Sequence, residues 1–130
     1  MEPGSYARHI LAIGNDAREG KRLIRIEPLE FGQQVAIAVE VKLPKTTLLS
    51  VSTKTGYIMC GALDVGLLNT RLRDRGILAG RAVGVQTIEQ LLEAPLESVT
   101  LAAEEAGIRK GMTGREAILR LLELERGSAA

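Results

Sequence analysis

Gly56–Gly84 reads GYIMCGALDVGLLNTRLRDRGILAGRAVG, and this stretch decides the fold. It opens on a short apolar run, Tyr57-Ile58-Met59-Cys60, which Gly61 breaks. Asp64 then stands as an N-cap, and Val65, Leu68 and Leu72 recur at helical spacing to about Asp74, with Leu67 beside them. Asn69, Thr70, Arg71 and Arg73 take the outward side. Gly76 suits a left-handed stop, and Leu78–Val83 is apolar again. Strand, helix and strand in about thirty residues make a βαβ unit whose two strands run parallel.

Upstream the pattern is β. Leu23, Ile24 and Ile26 lead to Pro28, and Phe31-Gly32 reads as a turn. Val35, Ile37, Val39 and Val41 then alternate with Ala36, Ala38, Glu40 and Lys42, a period of two that marks a strand. The alanines predict tight packing on their face rather than open solvent. Pro44-Lys45 punctuates, Thr46–Thr53 is a third β-rich run, and Lys54-Thr55-Gly56 turns into the deciding stretch. Short links between successive strands imply antiparallel pairing.

Downstream the pattern is helical. Thr87 with Gln90 forms a capping box opening Thr87–Glu93. Pro95 fits the first position of a second helix, carrying Val99, Ala102, Ala103 and Ala106 to a stop at Gly107. Thr113 with Glu116 forms another capping box, opening a helix through Ile118, Leu119, Leu121, Leu122 and Leu124. The expected fold class is therefore mixed α/β of α+β character: antiparallel strands, a βαβ unit, and C-terminal helices packed on the sheet. Residues 1–20 read as an extension without clear pattern. Residues 21–126 form one domain, β-rich and oligomerising over about 21–55, and 127–130 form a tail.

Composition narrows the function classes. The 17 Lys and Arg nearly cancel the 16 Asp and Glu, so the basic excess of a nucleic-acid binder is missing. Arg71, Arg73 and Arg75 cluster around Asp74 at a helix end, where positive charge complements the backbone dipole. Only Tyr6, Phe31 and Tyr57 are aromatic, too few for a base-stacking platform. A single cysteine, Cys60, excludes an internal disulfide framework and a multi-cysteine zinc site. His9 is the lone histidine, and no cofactor or metal is expected. No apolar run reaches the roughly 18 residues of a membrane span, and no secretory pattern opens the chain, so a cytoplasmic protein without a membrane partner is expected.

The candidate site follows from the βαβ reading. Cys60 ends one parallel strand with a helix start just after it, and ligands of open α/β sheets bind outside such strand ends. Gly61, Asp64, Gly84 and Thr87 would share that edge. Free N–H groups there would favour a small anionic ligand and would acidify a thiol. Equally, Cys60 fits a core position, Asp64 and Thr87 fit plain caps, and the glycines fit turns. Arg81 sits in the apolar run Ile77–Val85, which points to an exposed face, a salt bridge or an anion-binding group. Asp64 is its expected partner within one chain. The glycine spacing matches neither nucleotide-binding fingerprint. Catalysis is left open, with Cys60 the one candidate nucleophile.

Three segments, VEVKLPKTTLL (Val39–Leu49), GYIMCGALDVGLLN (Gly56–Asn69) and AGRAVGVQTIEQLLEAPLESVT (Ala79–Thr100), resemble the YunC-like family of bacterial and archaeal proteins, a domain of unknown function. The likeness covers about Glu27 to Leu122, and residues 1–20 look like an addition to the usual family start. The resemblance implies an N-terminal β region that mediates tetramer formation and an α/β remainder. It implies no established activity and carries no catalytic residues. Two function readings stand: an oligomer binding a small anionic ligand near residues 60–66, and a noncatalytic assembly or partner-binding module.

Overall fold

The computed structural model describes residues 5–9, 11–16, 21–61, 64–70 and 72–128. One mixed sheet runs β1 (Ala7–Arg8), β3 (Lys21–Phe31), β4 (Gln34–Leu43), β5 (Thr46–Ser52), β6 (Gly56–Met59), β7 (Leu78–Arg81) and β8 (Ser98–Val99), in that order. β2 (Leu11–Asp16) lies end to end with β1 along the same edge of β3. Strand neighbours follow chain order, and every pairing is antiparallel except β6 with β7.

Two-residue turns set the register of the central hairpins. Gly32 at φ 65° turns Phe31 back onto Gln34, and Lys45 at φ 65° after Pro44 turns Leu43 onto Thr46. Pro28 sits inside β3 without cost to β4, because its carbonyl faces the outer edge, where it accepts from the His9 N–H at 3.2 Å.

The helices α1 (Val65–Thr70), α2 (Ile88–Glu93), α3 (Leu101–Glu105) and α4 (Gly114–Ser128) follow. Leu29, Phe31, Ala36, Ala38, Leu49, Val51 and Ile58 of the sheet join Leu91, Leu92, Ile118 and Leu121 of α2 and α4 in one buried core. The alanine face of β4 is thus the covered one, and its tight packing is as the sequence predicts. Two glycines permit the close approach. A Cβ on Gly56 would stand 2.3 Å from the Leu78 carbonyl oxygen, and one on Gly114 2.2 Å from that of Leu91.

The Thr113–Glu116 capping box forms in full, whereas at Thr87 only the cap half does, because the Gln90 side chain accepts from Gln86 N–H at 2.7 Å rather than from Thr87. Thr87 Oγ1 accepts from Gln90 N–H at 3.0 Å, and Thr113 and Glu116 exchange bonds at 3.2 Å. Three readings need correction. The helix after Asp64 stops at Thr70, and a 3₁₀ turn at Arg73–Arg75 ends on left-handed Gly76. Of its expected stripe, Leu68 is buried, whereas Leu67 is exposed. Asn69 does not merely face outward, since its Oδ1 accepts from Leu101 N–H at 2.8 Å; the outward reading of Arg71 falls outside the described residues.

Pro95 does not open a helix. Ala94 before it is extended (ψ 147°), as a residue preceding proline tends to be. Ala94–Leu96 pairs with Met112–Gly114 instead. Val99 belongs to β8, and α3 starts one residue after Thr100, whose hydroxyl accepts from Ala103 N–H at 3.1 Å. Of the tail read over 127–130, Gly127 and Ser128 belong to α4, and 129–130 lie outside the described residues.

Candidate functional site

The C-terminal ends of β6 and β7 lie side by side, as the βαβ reading requires. Cys60 extends β6 by one residue: its N–H donates to the Leu49 carbonyl at 3.1 Å, and its Sγ accepts from the Leu49 N–H at 3.4 Å. The side chain is buried within the apolar core. Its one polar contact is spent on backbone, and its surroundings are those of a packing residue.

Gly61 is exposed, and the space beside its Cα meets Arg81 Nη2 and Val83 Cγ1. Asp64 caps α1, accepting from Leu67 N–H at 2.9 Å. It does not pair with Arg81. The Arg81 guanidinium goes to Glu97 at 3.0 Å, because β8 runs antiparallel to β7 and sets Glu97 just past the Arg81–Ser98 register pair. Arg81 Nε is buried and has no hydrogen-bond partner. Gly84 adopts φ 73° in the loop to α2, and Thr87 caps that helix. Gly61 and Arg81 therefore come together, whereas Asp64 and Thr87 serve their own helices.

The richest polar chemistry lies on the core face of the N-terminal strands. Register places Arg25, Glu40, Leu49 and Cys60 in one row across β3 to β6. Cys60 is thus two strand spacings from Glu40, about 10 Å. Arg25 and Glu40 pair at 3.2 Å with side chains only 22% and 11% exposed, and Arg25 Nε has no partner. In the next row Glu27 is 1% exposed. Arg8 grips it through two parallel bonds, Nε to Oε1 at 2.8 Å and Nη2 to Oε2 at 2.7 Å. Arg8 Nη1 reaches Glu89 at the start of α2. That bidentate bond to Glu27 is the largest cause raising the Arg8 pKa above its ordinary value, outweighing desolvation, which lowers it. The guanidinium proton linked to this pair is therefore retained throughout the working pH range.

Sequence reasoning missed Arg8, Arg25, Glu27 and Glu40. A signal was present: Arg25 and Glu27 share parity with Leu29 and Phe31, and Glu40 with Ala36 and Ala38. Charges in phase with core positions require partners. A separate cleft of about 370 Å³ opens between α1, the 3₁₀ turn and α3, with Leu68, Asn69, Arg73, Leu101 and Glu104 among its lining residues. None of the candidate site residues Cys60, Gly61, Asp64, Arg81, Gly84 and Thr87 lines it. Among the described residues no helix is long and apolar enough to cross a membrane.

A family model for a domain of unknown function (DUF1805) matches residues 59–121, from the last residue of β6 to the middle of α4. The uncharacterised protein YunC of Bacillus subtilis (strain 168) is 58% identical over 101 residues, 78% of this chain and all of that protein. The chain belongs to this YunC-like family. The crystal structure of a protein of unknown function, TA1206 from Thermoplasma acidophilum, is similar at a TM-score of 0.68 and 30% identity, covering 75% of this chain and 92% of that one. The YunC-like fold is thus a mixed sheet flanked by C-terminal helices. Roughly a fifth of this chain has no counterpart in the Bacillus protein.

Proposed function

We propose that this chain is a noncatalytic, homo-oligomeric assembly module that associates as a tetramer through the outward face of β3, β4 and β5. The carrying observation is that face itself. Ile24, Ile26, Val35, Ile37, Val39 and Val41 share it by register, and none is buried. Val35 is 43% exposed and Ile24 36%. A contiguous apolar surface of this kind on a soluble chain marks an interface. Closed packing around Cys60 favours this reading over a thiol enzyme, and a buried, unpaired cysteine suits a reducing cytoplasm.

Sedimentation of the parent at micromolar concentration should give about four times the 14.0 kDa chain mass. Ile37→Glu should reduce that mass while the helical signal persists. A monomeric parent would end the proposal.

A second reading has one observation in its favour. Arg81, with an unpartnered Nε, stands beside exposed Gly61 at the parallel-strand edge, where a small anion would find a guanidinium. Phosphate should then raise the melting temperature of the parent and leave Arg81→Ala unmoved. Equal responses would remove this site.

A further inference from the structure

Arg8 is coordinated as a bound ligand is. All three of its guanidinium nitrogens are taken, two by Glu27 from β3 and one by Glu89 from α2. The floor is a carboxylate almost sealed from solvent, while the outer wall, Glu89, is half-exposed. Two near-parallel bonds at 2.8 and 2.7 Å match the fork of a guanidinium; an ammonium would satisfy only one oxygen at a time. The segment that delivers this group is held lightly. β1 makes two register pairs with β3, His9 N–H bonds the Pro28 carbonyl at 3.2 Å, and the Tyr6 ring leans on Phe31 at 5.2 Å between centroids. His9 Nε2 also lies 3.1 Å from Glu30 Oε1, and β2 continues the same edge, so opening the site requires residues 5–9 alone to lift while β2 stays paired.

We infer that residues 5–9 are a built-in occupant of a guanidinium site formed by Glu27 and Glu89, and that small alkylguanidines compete with Arg8 for it. The physical necessity lies with Glu27. A buried carboxylate requires a cation, so whenever the arm lifts, the site recruits another of the same shape. Tethering gives Arg8 an effective concentration in the millimolar range, which sets what a free competitor must exceed. The site is separate from the outward face of β3 to β5, because Glu27 lies on the opposite side of the sheet with Ala38.

The test uses agmatine as the guanidinium probe, and putrescine, of the same chain length with an amine in its place, as the control. Arg8→Ala should lower the melting temperature by about 10 °C through the unpaired carboxylate. Agmatine should restore most of that loss saturably, and putrescine little of it. The double variant Arg8→Ala with Glu27→Gln should show no agmatine response. Equal action of the two amines, an equal response of the double variant, or an Arg8→Ala protein that melts with the parent would each overturn the inference. Should Arg8→Ala fail to fold, the parent decides: tens of millimolar agmatine should speed hydrogen exchange at the His9 amide by about tenfold while β4 and β5 amides hold. Unchanged exchange at His9 would equally overturn it.

Discussion

On β4, Ala36, Ala38 and Glu40 turn toward α2 and α4, whereas Val35, Ile37, Val39 and Val41 turn away from them. The same alternation thus builds two faces with opposite fates. Where helices of the same chain close down, the side chains are small, since a large one would hold the layers apart. Where the described residues provide no cover, they are large and β-branched, and none of them is buried. Volume on a strand therefore reports how near the covering layer comes, and hydrophobicity alone does not say which layer belongs to the chain. Covering the exposed remainder of one such valine or isoleucine is worth about 1 kcal/mol, and a row of them gives another copy reason to supply the layer.

The largest expected effect comes from reversing the volumes. Ala38→Leu should cost about 3 kcal/mol, because Ala38 is 1% exposed beneath the helical layer and the core has no room for three further carbons. Val39→Leu, one residue along and facing out, should leave monomer stability within about 0.5 kcal/mol. Urea unfolding of the two variants measures both. Similar losses would mean that the outward face is packed as tightly as the inner one, and the comparison would fail.

A smaller effect concerns the charges on the covered face. Glu40→Gln should destabilise by about 1 kcal/mol, discounted for the partial exposure of Arg25. A double-mutant cycle with Arg25→Met should return a coupling of similar size. Zero coupling would show that the pair is incidental to the inner face. Cys60 belongs to the same row and should resist alkylation in the native protein, reacting only on unfolding, as its burial requires. Rapid native modification would reopen a chemical role for it.

These contrasts also explain what the sequence could disclose. The Thr87 cap, the Thr113–Glu116 capping box and the left-handed Gly76 were legible because each rests on residues within a few positions of one another, and the parallel β6–β7 pair because a strand–helix–strand pattern dictates it across 22 positions. The ion pairs were not. Arg8 meets Glu27 across 19 positions and Glu89 across 81, and register alone brings Arg25 to Glu40. Arg81 illustrates the same limit. Its need for an acceptor was readable from its apolar neighbours, but Glu97 became the acceptor only because Ser98 and Val99 return as a strand beside β7, where helical spacing suggested a helix. The alternation in β4 revealed two faces, and the alanines told which would be packed tightly. A single chain's pattern does not say what would cover the valines, because such a surface would not be a sequence neighbour.

The smallest expected effect sits at the rim that both faces share. Lys45 holds φ 65° in the β4–β5 turn and is exposed, so its backbone carries the cost of the left-handed region without a compensating contact. Lys45→Gly removes that cost, about 1 kcal/mol, and adds an unfolded-state entropy loss of nearly the same size. The net should be a stabilisation of a few tenths of a kcal/mol, visible as a small rise in urea midpoint at unchanged slope. Because the tip belongs to neither face, assembly mass should not change. A Lys45→Gly protein that loses mass in sedimentation would place the turn inside the interface and extend the uncovered face to the end of the hairpin. A clear loss of stability would instead show that Lys45 makes a contact in the assembly that the isolated chain does not display, and the boundary between the two faces would have to be redrawn at Leu43, which is itself 45% exposed beside the turn.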